Sequence, residues 1–140
     1  MSDWNTQVIE EFRANHGQVG GQFEGAPLVL LHHRGRKSGV ERVAPLMYLA
    51  DEADADTVYV FASKAGAPTD PEWYRNLKAA GNTRVEIGDE AYDVDVAEVT
   101  GPDRERIFAE QVSRYAGFGE YAEKTAGIRA IPVVALRRSR

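Results

Sequence analysis

Residues 28–49 read LVLLHHRGRKSGVERVAPLMYL. Two largely apolar runs, Leu28 to His33 and Val40 to Leu49, flank the connection Arg34-Gly35-Arg36-Lys37-Ser38-Gly39. A parallel crossover needs about a dozen residues or more, so a link this short makes the two runs antiparallel neighbours. Pro45 has no amide hydrogen to give a strand partner, which places the second run at a sheet edge or on a bulge.

Working outward, Thr57 to Ala62 is a third strand. Thr83 to Ile87 and Ala91 to Val99 form a hairpin around Gly88-Asp89-Glu90, and Ile131 to Leu136 closes the chain as a last strand. Trp4, Val8 and Phe12 recur every four residues with Ile9 alongside, the stripe of a helix ending near Asn15 to Gly17; the glycine-rich passage to Gly25 is loop. Asp70 and Pro71 predict a helix start and Gly81 its stop. Thr100 and Asp103 predict a capping box for a helix through Tyr115, and Ala116 to Gly127 carries aromatics and helix-breaking glycines in turn. Helix, three strands, short helix, two strands, helix, strand is an α+β order. With short hairpins dominating, it predicts a mostly antiparallel sheet curled on itself with flanking helices, not a doubly wound parallel sheet.

At 140 residues the chain is one domain, 1–140, with 1–25 as an N-terminal helix and loop. Its 43% hydrophobic and 28% charged residues exclude a disordered or repeat composition, and a net charge of -5 speaks against general nucleic-acid binding. Zero cysteine removes disulfides, thiolate catalysis and thiolate metal sites. No apolar run reaches bilayer length and the acidic N-terminus is no signal peptide, so the expectation is a cytoplasmic protein with no integral membrane segment. Weak peripheral contact through the first helix is left open.

An acidic chain nevertheless concentrates cations between residues 34 and 42. Glycines let the backbone turn and present amides, and Arg36, Lys37 and Arg42 add charge-assisted bonds, a composition suited to phosphate or carboxylate. Alternatively these cations decorate an exposed turn. Ser63, Lys64 and Gly66 supply a second such loop, with a solvated lysine as the plain alternative. Trp73 and Leu77 share a helical face and belong to the core, whereas Tyr74 and Asn76 are free to border a ligand. Tyr115, Phe118 and Tyr121 form either an adjustable wall for a flat substrate or a seam against the sheet. His32 and His33 point to opposite faces of a strand and cannot share a metal, and no nucleophile elbow is present, so neither metal nor triad chemistry is expected.

Four blocks in order, Gly35-Arg36-Lys37-Ser38-Gly39, Arg42-Val43-Ala44-Pro45-Leu46 with Tyr48, Ala62-Ser63-Lys64-Ala65-Gly66-Ala67, and Pro71-Glu72-Trp73-Tyr74-Arg75-Asn76-Leu77, closely resemble the deazaflavin-dependent nitroreductase family of actinobacteria. The resemblance implies a split β-barrel of the FMN-binding type and the deazaflavin coenzyme F420. It implies that Arg36, Lys37, Ser38, Gly39 and Arg42 hold the coenzyme's phosphate and polyglutamate tail. Ser63, Lys64 and Gly66 would lie by the ring, Pro45, Leu46 and Met47 would bracket it, and the helix with Trp73, Tyr74 and Asn76 would support that loop. Tyr115, Phe118 and Tyr121 would border the acceptor, with Tyr115 or Tyr121 as proton donor.

The implied activity is hydride transfer from reduced F420 to a small electron-poor acceptor: a quinone, enone or nitro-aromatic. Two departures stand out. Ala65 replaces a usual glycine, and Phe118 replaces an expected tyrosine, removing a hydroxyl. FMN is the rival coenzyme, although one phosphate needs fewer cations than this turn holds. A non-catalytic deazaflavin carrier and a structural interaction protein are the rivals from other classes, and the open edges of such a barrel leave room for a homodimer.

Overall fold

In chain order the elements of the computed structural model are α1 (Asp3–Ala14), β1 (Leu28–Arg34), β2 (Glu41–Met47), β3 (Leu49–Ala50), β4 (Thr57–Phe61), α2 (Glu72–Ala80), β5 (Asn82–Ile87), β6 (Glu90–Val99), α3 (Gly101–Arg114), α4 (Gly117–Thr125) and β7 (Val133–Arg138). The structure describes residues 3–20, 27–63, 69–128 and 130–139. The strands form one sheet in the order β2-β1-β5-β6-β7-β4-β3, every neighbouring pair antiparallel. β1 and β2 are indeed a hairpin, from Leu28 opposite Met47 to Arg34 opposite Glu41.

Val40 to Leu49 is not one strand. It divides at Tyr48: the Tyr48 amide still bonds the Pro27 carbonyl at 3.2 Å, in line with the β1–β2 ladder, and the next two residues, Leu49 and Ala50, pair instead with Tyr59 and Val58 of β4. β2 and β3 lie at opposite ends of the strand order, yet a single residue separates them, which only a sheet curled until its edges approach can satisfy. Pro45 lies on β2, the edge strand, where its missing donor costs no ladder bond.

β1 carries the packing because both its faces are buried. Its odd residues, Val29 and Leu31, enter the interior of the curl with Val58, Val60, Val85, Val94, Val134 and Leu136. α2 adds Trp73, Tyr74 and Leu77 to that interior. The even residues Leu28 and Leu30 face outward under α1, against Val8 and Phe12. The stripe that left membrane contact open is thus spent inward at Val8 and Phe12, and among the described residues no helix is long and apolar enough to cross a membrane.

On the far side Tyr59, Phe61 and Val133 pack under α3 through Ile107 and Phe108. Residues 116–127, where the glycines predict a break, contain α4 instead. Phe118, Tyr121, Ala122 and Thr125 share one helical face, three of them joining the outer cluster, and Thr125 donates its hydroxyl to the Tyr121 and Ala122 carbonyls. Packing of this face on the outer cluster outweighs the glycine penalty, about 1 kcal/mol for Gly119 and less for Gly117 at the first helical position. The predicted capping box is absent: Thr100 is the N-cap of α3 but makes no side-chain cap bond, and Gly101 follows it at φ 69. α2 likewise starts one residue later than predicted, with Pro71 at its N-cap.

Candidate functional site

The β1–β2 turn is closed by its own backbone. The Gly35 amide donates to the Val40 carbonyl at 2.9 Å and the Gly39 amide to the Gly35 carbonyl at 2.9 Å, while the Ser38 hydroxyl accepts the Val40 amide at 3.2 Å. Gly39 sits at φ 74, a conformation costly to any residue with a Cβ. So built, the turn projects Arg36 toward α2 and leaves Lys37 on the outside.

Arg36 is docked there by three bonds. Its guanidinium donates to Glu72 Oε1 at 2.8 Å and to Asn76 Oδ1 at 2.9 Å, and its backbone amide donates to the same Asn76 oxygen at 3.2 Å. Asn76, expected to border a ligand, is buried at 5% exposure. Its other end meets buried His33, with Nδ2 2.9 Å from the imidazole Nδ1. Tyr74 is also buried; its hydroxyl donates to Glu98 Oε1 at 2.6 Å, and burial first, then that carboxylate, raises its pKa strongly. Helix residues 74 and 76 are therefore structural supports as much as lining.

Gly35, Arg36, Lys37, Ser38, Arg42, Glu72 and Asn76 line one cleft of about 430 Å³. Arg36 is neutralised by Glu72, but Lys37 and Arg42 have no ion-pair partner among the described residues. Arg42 lies opposite His33 in the ladder, and its charge, after burial, helps to hold the His33 imidazole below its ordinary pKa. The cleft is thus a groove with two uncompensated cations and a serine: an arrangement for anionic oxygens.

The other expected site residues fall in separate places. Pro45, Leu46 and Met47 continue β2 from the cleft, Leu46 packing on the interior core and Met47 on the α1 cluster. Ser63 is buried just beyond β4, its amide bonded to the Phe61 carbonyl at 2.8 Å. Lys64, Ala65 and Gly66 lie outside the described residues. Trp73 is buried in the interior core, as expected. Phe118 and Tyr121 stack edge to face at 5.4 Å, and Phe118 meets Phe61 at 5.7 Å, so these two half-buried rings pack against the sheet and keep part of their surface exposed. Tyr115 is half-buried at the C-cap of α3. Among the described residues no hydrogen bond or ring contact joins these aromatics to the basic turn.

Sequence reasoning weighs His33 only as a metal ligand and quotes Glu72 only within the Pro71–Leu77 block, so it misses both as supports of the turn. The signal for His33 is its parity: it shares the strand face of Val29 and Leu31, the face that the structure turns toward the interior and α2.

A sequence profile of the family described as F420H(2)-dependent quinone reductase matches residues 4–138. The chain belongs to that family. The F420H(2)-dependent quinone reductase Rv1261c of Mycobacterium tuberculosis is 34% identical over 134 residues, 91% of this chain and 85% of that protein. A solved F420-H2 dependent reductase, FDR-A, is 36% identical with a TM-score of 0.68, covering 79% of this chain and 94% of its own. A structure described as a domain-swapped dimer is 34% identical with a TM-score of 0.70, covering 96% and 98%. The expected fold and class therefore hold: this F420H(2)-dependent quinone reductase family member is a split β-barrel and an F420H2-dependent reductase, with F420 as its coenzyme. Its residues fit such a coenzyme, since Lys37 and Arg42 offer unpaired charge beside an Arg36 already locked in place.

Proposed function

We propose that Arg36, Lys37, Ser38, Gly39 and Arg42 hold the phosphate and polyglutamate tail of F420, and that the acceptor is a small electron-poor quinone. The observation that carries this reading is the pair of uncompensated cations at one cleft of a chain with net charge -5. Bound F420H2 supplies the hydride itself, so the protein needs no thiol, metal or triad. Its own tasks are to grip the tail, align the ring and give the acceptor oxygen a proton.

For alignment, the β2 backbone at Pro45, Leu46 and Met47 runs on from the cleft and Ser63, Lys64 and Gly66 follow β4, so both segments are assigned to the ring. Trp73, Tyr74 and Asn76 anchor the helix beneath. Tyr115 or Tyr121 is the proton donor, and Phe118, without a hydroxyl, shapes the acceptor pocket. A homodimer and a cytoplasmic location complete the proposal, the first drawing on the relative described as a domain-swapped dimer; light scattering of the purified protein and cell fractionation test them.

Titration of the protein with oxidised F420, and separately with FMN, tests the site. The expected outcome is micromolar or tighter F420 binding that weakens with salt, much weaker FMN binding, and about ten-fold weaker F420 binding with a shallower salt dependence in Lys37→Ala. FMN preference, or unchanged affinity in Lys37→Ala, overturns the assignment. Stopped-flow oxidation of F420H2 by a quinone panel tests the acceptor, and failure across the panel removes it.

A further inference from the structure

We infer that His33 is a positioning residue for coenzyme binding: by accepting a hydrogen bond from the Asn76 side chain it fixes the amide that holds Arg36 and the basic turn. The inference rests on the reading that this turn grips F420. It follows from donor and acceptor bookkeeping. The Arg36 backbone amide and guanidinium can only donate, and both approach the same Asn76 atom, which must therefore be the carbonyl oxygen. That leaves the Asn76 NH2 facing His33 Nδ1 at 2.9 Å. An NH2 group can only donate, so Nδ1 must be the unprotonated nitrogen and His33 must be neutral, with its proton on Nε2.

All members are placed so that the arrangement has one consistent orientation. His33 is 7% exposed and Asn76 5%, so water is poorly placed to substitute for either partner. Flipping the Asn76 amide would turn its NH2 toward two donors of Arg36 and break both bonds. Protonating His33 at Nδ1 would set two donors face to face and force that flip.

The surroundings favour the neutral ring. Arg42 opposes its charge from β2 and the adjacent His32 from β1, while Glu72 on α2 favours it; burial, the largest influence, holds the imidazole below its ordinary pKa. Arg36 lies one bond away through Asn76. On its other side His33 shares a cleft with Arg34 of β1, Glu41 of β2, Arg84 of β5 and Asp93 and Asp95 of β6, where Arg84 and Asp93 pair at 3.7 Å. At neutral pH the turn is therefore held, and acid releases it.

The test pairs His33→Leu, which removes the acceptor, with His33→Asn, which places an oxygen near the position of Nδ1 and cannot titrate in this range. In the coenzyme-free protein, NMR follows the Arg36 backbone amide and the Asn76 side-chain amide. F420 affinity is measured by fluorescence between about pH 7.5 and 5. The expected results are an Arg36 amide that tracks the titration of His33 in the wild type, F420 binding about ten-fold weaker in His33→Leu, recovery to within about three-fold in His33→Asn, and a loss of affinity on acidification in the wild type beyond that of His33→Asn. Acid effects on F420 itself appear equally in both proteins.

An Arg36 amide indifferent to His33 protonation, or a His33→Asn protein as weak as His33→Leu, overturns the inference; the wild-type titration needs no variant to fold. If Arg36 follows His33 while Lys37→Ala leaves F420 affinity unchanged, the positioning stands and the assignment of the turn to the coenzyme falls.

Discussion

Glu86 shows how a single side chain here ties three elements together. It accepts a two-pronged bond from Arg13 of α1, at 3.0 and 2.6 Å, and lies 2.7 Å from His32 Nε2 on β1. The Arg13 hydrogen bond, followed by that of His32, outweighs desolvation and holds the Glu86 carboxylate below its ordinary pKa. The folded state therefore binds fewer protons than the unfolded one, and the stability this contributes is present above the unfolded carboxylate value and is lost as pH falls through the lowered one. Glu86→Gln should cost about 1 kcal/mol at neutral pH, a small figure because the Arg13 side chain is half exposed, and should flatten the acid limb of the denaturation curve below pH ~4.5. His33 has the same sign in a different window. Its pKa is depressed on folding, so stability rises with pH between the depressed value and the unfolded value of about 6.5, and His33→Asn should remove that slope. Equilibrium urea unfolding at stepped pH measures both. At this scale the cations of the turn were legible from composition alone. The burial of Tyr74 and Asn76 was not, because a polar residue is drawn inside by partners that come from distant sequence, Glu98 for one and His33 with Arg36 for the other.

Among the elements, the junction of α1 with the β5–β6 hairpin is the most demanding on sequence. Gly17 sits at φ 92, and a Cβ there would lie 2.7 Å from the Gly88 Cα, a backbone atom that cannot move aside alone. Gly81, at φ 82 beyond α2, has open space around it and returns its amide to the Leu77 carbonyl at 2.8 Å. Gly81→Ala should therefore cost only the left-handed backbone penalty, about 1 kcal/mol, whereas Gly17→Ala should cost about 2 kcal/mol or more because a collision adds to it. Chemical denaturation of the two variants side by side checks the ranking, and equal losses would contradict it. Both glycines were visible as punctuation in the chain, yet only the docking of one turn on another separates them. α4 makes the converse point. Gly117 and Gly119 argue locally for a break, but Gly119 lies against Val112 of α3, where a Cβ would approach to 3.3 Å, so its lack of a side chain allows the close contact that buries the helix.

Over the whole molecule the curled sheet has two kinds of surface to satisfy, and the strands that face both carry most of the core. β7 gives Val134 and Leu136 to the interior and Val133 to the cluster under α3, while β4 divides Val58 and Val60 from Tyr59 and Phe61 in the same way. Leu136 is fully buried at the heart of that interior, and Leu136→Ala should lower the unfolding free energy by about 3 kcal/mol with an unchanged denaturant slope. A loss below about 1 kcal/mol would mean that the interior is less tightly packed than its zero exposure implies.

The antiparallel hairpin of residues 28–49, the α+β class, the basic turn and the resemblance to F420-dependent reductases were all present in the sequence, because short connections, strand alternation and charge composition act over a few residues. Tertiary structure alone decided the rest. The break at Tyr48 depends on two edges meeting around the barrel, the fate of residues 116–127 depends on a face that the sheet offers to them, and the hold of Asn76 on Arg36 depends on a histidine 43 positions away in the chain. Each of these is a balance between a weak local preference and burial or pairing supplied by remote residues, and such a balance is settled only when the chain has closed on itself.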